Sequence, residues 1–555
     1  MKSIRLLVLL ISALAVPAWA GVSHPPGAAI ASAHPLATRA GEEILKQGGN
    51  AFDAAVAISA ALAVVEPQSS GLGGGGFWLL HRARDGYNTM VDGREKAPGA
   101  ASRDMYLDTL GKPIPGKSLD GPLAAGIPGE PAALVHLNRH YGRLSLAKDL
   151  APAIRLAREG FAVTKRYRLL AKYRRPVLNQ YPAAAKSFLD QGEVPALGYR
   201  IRQPDLARTL EILAQKGRAG FYDGPIASKL VKGVRAAGGI WTRKDLRSYR
   251  VVERKPVRGR YHNVRIISAA LPSSGGVVLN EALGILQAYP LKCAAPVERK
   301  HLIIEAMRRA YRDRARYLGD SDFVKVDVAH LLNPAYWAEL RKTIHTRATP
   351  SKELDSEAAR PLGKDTTHFS VIDREGNRVS ATLSVNTPFG SAFVAPGTGV
   401  ALNNEMDDFS EKPGQPNVYG LVGAEANAIA PGKRPLSSMT PTFLETKDAV
   451  VALGTPGGSR IISMVLLATL EFAEGRGTVA DWVALPRYHH QYLPDVVTYE
   501  PGAFTAAELT ELKKRGYELK ELRPYGNMQA VMWDKRNKRM SAASDPRGEG
   551  LAWVQ

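Results

Sequence analysis

The sequence predicts a mixed α/β protein, of the α+β kind, built in two parts. Three observations carry this. Apolar residues recur at helical spacing through most of residues 35–341. β-Branched residues alternate over Thr366–Ile372 and Arg378–Val385, on either side of the turn sequence Asp373-Arg374-Glu375-Gly376-Asn377. Between these regions, residues 342–365 are polar, hold two prolines and lack a sustained apolar period, so they read as an exposed, mobile linker. A linker running straight into a core hairpin makes the Asp365–Thr366 bond a natural place for the chain to be cut.

Met1–Ala20 has a basic start (Lys2, Arg5), an apolar run too short to span a bilayer, and the small-x-small site Ala18-Trp19-Ala20. It reads as a signal peptide removed after Ala20, which implies a periplasmic or secreted protein. No later segment is long and apolar enough to be a transmembrane helix. The single cysteine, Cys293, excludes an intramolecular disulfide and any CxxC site, and an exported chain without disulfides suits a bacterial periplasm.

Pro35–Gln47 and Ala51–Val65 read as helices broken at Gly48-Gly49-Asn50, with Asn50 as N-cap and Asp53 in the first turn. Gly71, Gly73 and Gly76 then satisfy GxGxxG. A helix precedes them and a strand follows, the reverse of the dinucleotide fingerprint, so the run reads as a tight turn with close backbone packing. Arg94 follows that strand. Ser145–Gly160, Gln203–Gly217 and Ser273–Pro290 read as amphipathic or buried helices within a mostly helical stretch, residues 101–341. In Glu298–Asp320, Ile304, Met307, Tyr311 and Leu318 mark an apolar face, and Arg308, Arg309, Arg312 and Arg316 fall largely off it, as a solvated basic face.

Past the hairpin, Glu405 and Asp408 lie in a loop, where acidic residues are ordinarily solvated, and a Pro- and Gly-rich stretch with Tyr419 follows. Ser437 and Ser438 sit in turn-like sequence. Gly457 and Gly458 offer unobstructed backbone N–H groups without a phosphate-loop lysine. Val496–Gln555 alternates short strands with one helix and finishes a sheet. The net charge of +21 is spread rather than clustered, which argues against nucleic acid and for adhesion to anionic surfaces. GxSxG and HExxH are absent, His489 and His490 are adjacent rather than i, i+4, and the twelve histidines do not mark a metal site.

A threonine hydroxyl is a poor nucleophile without an adjacent base. If Thr366 became a chain terminus, its own α-amine, with an unperturbed pKa of about 7.7–8, would supply one.

Thr366-Thr367-His368-Phe369-Ser370, Gly376-Asn377-Arg378-Val379-Ser380, Thr382, Asn386 and Phe389-Gly390 resemble the γ-glutamyltransferase (γ-glutamyltranspeptidase) family of N-terminal-nucleophile hydrolases, which cleave themselves before such a threonine. One position departs: Ser384 stands where the family usually has a second threonine. The resemblance implies a four-layer αββα sandwich formed jointly by a large subunit, residues 21–365, and a small one, residues 366–555. It implies that Thr366 is the nucleophile, that Ser384 orients it, and that Gly457 and Gly458 form the oxyanion hole. Arg94, in a segment like the family's REXAP block, would grip a substrate α-carboxylate together with Ser437 and Ser438. Glu405 and Asp408 would hold the α-ammonium, Asn386 would complete that wall, and Tyr419 would belong to a lid. The implied substrates are glutathione and other γ-glutamyl compounds, with the acyl group passing to water or to amino acids and peptides, and no cofactor or metal. The rivals are a glutaryl or cephalosporin-type acylase of the same superfamily and a noncatalytic basic surface-binding protein.

Overall fold

The structure, a computed structural model, describes residues 24–354 and 366–555. The expected signal peptide and Asp365 lie outside the described residues. No helix among the described residues is long and apolar enough to cross a membrane.

Two antiparallel sheets stack face to face. The first has seven strands in the order Leu551–Val554, Ala29–Ser32, Thr367–Ile372, Arg378–Ser384, Gly75–Arg82, Tyr87–Gly93, Val252–Arg254. The second has six, Arg539–Ser544, Gln529–Asp534, Ala449–Gly454, Thr442–Glu445, Val264–Ser268, Val257–Tyr261. Strand Gly75–Arg82 shows how the layers are encoded. Phe77 and Leu79 point into the core between the sheets, with Ala29, Ile267, Phe443 and Val531. Trp78 and Leu80 point the other way, into helices. Side chains alternate with period two, so a strand covered on both faces must be apolar at nearly every position.

Helices close both outer faces. Pro35–Lys46, Ala51–Val65, Glu130–Tyr141 and Leu146–Glu159 cover the first sheet, and Gly275–Leu286, Pro296–Tyr317 and Ile461–Ala473 cover the second. The result is the expected four-layer αββα sandwich. Helix Ala51–Val65 is buried along its whole length. Its start is fixed as predicted: Phe52 N and Asp53 N donate to Asn50 Oδ1 (2.9 and 3.1 Å), and Asn50 N donates back to Asp53 Oδ2 (2.9 Å).

Three expectations need correction. Residues 252–268, inside the stretch read as helical, form three short strands, because three to five residues carry too little pattern to register against neighbouring helices. The arginines of helix Pro296–Tyr317 are not a solvated face: Arg308 and Arg309 are 1% and 0% exposed, each paired with Glu305 (3.2 and 2.6 Å), and only Arg316 is fully exposed. Nor is the start of the linker free. Arg309 donates to Thr349 Oγ1 (3.1 Å) and Arg308 to Ser351 Oγ (2.7 Å), and Ser351 in turn donates to Tyr492 O (2.6 Å). Polar residues read as exposed from sequence are buried here because buried arginines hold them.

Candidate active site

The hairpin places the site. Its register pairs Leu383 with Thr367, so the next positions along are Ser384 and Thr366. Thr367 Oγ1 donates to Glu66 Oε2 (2.7 Å), which pins the start of the strand. His368 shares a hydrogen bond with Thr382 Oγ1 (2.8 Å), and burial pushes its imidazole down to about 3, so it is neutral. It packs against Gly454 of the second sheet, where any Cβ would overlap the ring. The glycine run does what close packing requires: a Cβ on Gly74 would collide with the Ser384 carbonyl.

After Ser384 the chain turns sharply, with Asn386 at φ +76°. Asn386 N donates to Ser384 Oγ (2.7 Å), Asn386 Nδ2 donates to Asn404 O (2.9 Å), and Tyr419 OH donates to Asn386 O (2.7 Å). The Tyr419 ring lies on Gly458, leaving no room for a side chain there. Gly457 and Gly458 have φ +146° and +58°, and neither N–H has an acceptor among the described residues. Thr366 (5% exposed), Ser384, Asn386, Tyr419 and Gly458 thus line one cleft together with Arg94, Glu405, Asp408, Ser437 and Ser438. Of the predicted site residues that are described, only Gly457 does not line this space. It adjoins it through Gly458.

The charged wall is densely paired. Arg94, with no exposed surface, donates to Glu405 Oε2 (2.6 Å), to Asp408 Oδ2 and to Pro435 O (3.2 Å), and Glu95 lies 3.5 Å away. Burial works against its charge, but Glu405, Asp408 and Glu95 together raise its pKa above the usual arginine range. Glu405 is raised too, which for a carboxyl disfavours the charge: burial lifts its pKa, and the pull of Arg94 does not offset this. Glu405 Oε1 and Asn386 Oδ1 are buried with no hydrogen-bond partner among the described residues. Unsatisfied buried acceptors in a cleft are what a cationic ligand group would satisfy.

The two serines present donors. Ser437 Oγ accepts from Met439 N (3.0 Å), and Ser438 Oγ accepts from Arg314 Nη2 (3.1 Å). Each hydroxyl therefore accepts from the protein and keeps its own proton for something else. Two such donors side by side suit a carboxylate.

Arg314 is the residue that sequence reading passed over. The spacing 304, 307, 311, 314, 318 is one continuous helical stripe, so Arg314 belongs to the apolar face and points inward. The apolar lining was also unread: Leu421, Leu436 and Met439 are isolated in loops and carry no periodic signal, and Ile461 opens helix Ile461–Ala473.

The family model described as Gamma-glutamyltranspeptidase matches residues 37–554. A glutathione hydrolase proenzyme of Pseudomonas sp. strain A14 is 41% identical over 538 residues, covering 94% of this chain and 93% of that protein. The glutathione hydrolase proenzyme of Escherichia coli K12 is 42% identical over 536 residues, covering 95% and 92%. Among solved structures, a chain of Helicobacter pylori gamma-glutamyltranspeptidase is 42% identical with a TM-score of 0.57, covering 58% of this chain and 93% of that one. A cephalosporin acylase from Bacillus halodurans is 27% identical with a TM-score of 0.83, covering 99% of both chains.

Proposed function

We propose a reaction from one premise: the chain belongs to the gamma-glutamyltranspeptidase family. It is a γ-glutamyltransferase and glutathione hydrolase, which cleaves the γ-glutamyl amide of glutathione and related compounds. One observation carries the reading. A single cleft is lined by Thr366 together with residues that hold both signs of charge and two hydroxyl donors. A γ-glutamyl group ends in a zwitterion, and only such a wall matches both of its charges.

In this proposal the exported chain loses its first 20 residues and then divides before Thr366. The Thr366 hydroxyl attacks the Asp365 carbonyl, the peptide C–N bond breaks, and water opens the resulting ester. Asp365 keeps a carboxylate, and Thr366 gains a free α-amine. The pieces, residues 21–365 and 366–555, stay together as a heterodimer because each sheet contains strands of both. In turnover the α-amine takes the hydroxyl proton as the oxygen attacks the γ-amide carbonyl. Gly457 and Gly458 N–H groups hold the oxyanion, a contribution of about 3 kcal/mol per donor. The amine leaves with the proton, and water or an amino acid or peptide amine then takes the acyl group from Thr366. Ser384 orients the nucleophile, and Tyr419, resting on Gly458, serves as part of a lid.

The likeness to a cephalosporin acylase supports a second reading, an acylase that shares the nucleophile but takes a donor without the α-ammonium. Matched γ-glutamyl and glutaryl anilides separate the two. Asp408→Asn is expected to cost on the order of 2–5 kcal/mol in kcat/KM on the γ-glutamyl donor and little on the glutaryl one, as for truncating one partner of a buried charge pair. Arg94→Ala is expected to weaken both. Equal efficiency of the unmutated enzyme on the two donors would overturn the transferase reading.

A further inference from the structure

Arg314 is a buried cation with no ion-pair partner among the described residues, and Asp408 is the carboxylate whose charge acts on it from farther off. Its Nε donates to Ser274 Oγ (3.0 Å) and its Nη2 to Ser438 Oγ (3.1 Å), and its Nη1 has no partner among the described residues. No carboxylate lies within ion-pair distance of it among the described residues, whereas Arg94 in the same cleft has three. Burial, the largest influence, pulls its pKa down to about 10, but it stays protonated at neutral pH. A guanidinium largely buried at a cleft wall with only hydroxyl partners is costly unless an anion joins it in the working state.

Its neighbours explain where that anion would sit. Because arginine only donates, Ser438 Oγ must accept from it, and the Ser438 proton is left for the cleft. Ser274, the other partner, donates to the Ser437 carbonyl (2.7 Å), so the same guanidinium fixes the backbone of the adjoining serine. The charge of Arg94, by contrast, is already spoken for by Glu405 and Asp408.

We infer that Arg314 is the uncommitted counter-charge of the cleft: it sets Ser437 and Ser438 as donors and supplies the positive charge that selects an α-carboxylate on the donor substrate. The inference rests on the reading of the site as a γ-glutamyl site. Arg94 then meets the carboxylate with a guanidinium already paired to Glu405 and Asp408, and Arg314 adds its charge behind the two serines.

The test compares two donors on the mature enzyme: γ-glutamyl anilide and 4-aminobutanoyl anilide, which keeps the amide and the amine but lacks the carboxylate. Arg314→Gln is expected to raise KM for the γ-glutamyl donor about 10- to 100-fold, the range for losing a hydrogen bond to a charged group, with kcat changed far less. KM for the 4-aminobutanoyl donor should hardly move, and Arg314→Lys should recover part of the loss. Should Arg314→Gln fail to mature, Ser274→Ala decides, since it loosens the guanidinium from outside the cleft and should give a smaller shift with the same donor preference. An equal loss on both donors, in whichever variant matures, would overturn the inference. A failure of the unmutated enzyme to turn over γ-glutamyl anilide would instead overturn the functional reading beneath it.

Discussion

Two clusters of buried charge lie close to the ends of the undescribed stretch before Thr366, and they are built on opposite rules. In the first, Glu305, Arg308, Arg309, His490, Asp495 and Tyr517 hold residues 349–351, and each charge has its complement. Glu305 binds both arginines and the Tyr517 hydroxyl (2.9 Å), and Asp495 binds Arg308, Ser351 N (2.6 Å) and His490 (3.1 Å). Burial works against the Glu305 carboxylate, but the two arginines pull its pKa down to about 2. In the second, the cleft, Glu405 is pushed up by burial, and among the described residues two acceptors have no partner and Arg314 has no carboxylate within ion-pair distance. A matched network needs nothing further and serves as structure. An unmatched one is complete only with a ligand, and the difference separates the clamp from the site where charge counts alone would not.

The largest expected effect breaks the chemistry while leaving both clusters intact. Thr366→Ala should remain a single chain and lose all detectable γ-glutamyl transfer. Denaturing gels and an anilide assay check it, and cleavage at the same bond in the variant would remove Thr366 from the maturation step.

The comparison itself is sharpened by a pair of isosteric changes. Glu305→Gln should destabilise the protein by about 3–5 kcal/mol at pH 7, because it leaves buried Arg309 with no carboxylate among the described residues and Arg308 with Asp495 alone. Glu405→Gln should change stability by less than about 1 kcal/mol while lowering kcat/KM, because Arg94 keeps Asp408 and Glu95. The pH dependence has a definite sign. Glu305 falls from 4.5 to about 2 on folding, so its contribution is full above pH 4.5 and is lost as pH drops toward 2. His490 is depressed, chiefly by burial, to about 4, and its contribution is lost between pH 6.5 and 4. Glu405 is raised, so its ionisation costs stability as pH rises. Urea titrations of the three proteins at pH 7 and pH 3 check this: the Glu305→Gln deficit should shrink in acid. Equal deficits for the two variants would erase the distinction between clamp and cleft.

The smallest effect concerns Ser384. Its Oγ accepts from Asn386 N, a role that a threonine hydroxyl also fills, so Ser384→Thr should be close to neutral in maturation and turnover. Ser384→Ala should slow both. Rates measured side by side on the anilide decide, and an unaffected alanine variant would show that this hydroxyl orients nothing.

How much of this was legible in the sequence follows from the range of each signal. The Asn50 cap, the hairpin around Asp373–Asn377 and the close-packed glycines are written within a few residues of one another, and each appears where local chemistry puts it. The residues on both walls of the cleft were legible through a motif, though they come from segments hundreds of positions apart. Arg308 and Arg309 were misread because a charged residue is ordinarily solvated; Glu305 lies three and four positions before them on the same helix, but only tertiary packing brings Thr349 and Asp495 to them. Arg314 was within reach: it falls on the apolar stripe of its own helix, and a charge at an inward position is itself a signal.

The most direct test of the account is the mass of each piece of the purified protein, taken before and just after mixing with a γ-glutamyl donor and quenching in acid. The account predicts a smaller piece that begins at Thr366 and becomes heavier by one glutamyl group, carried on that first residue. A piece that begins elsewhere, or an acyl group found on any other residue, would contradict it.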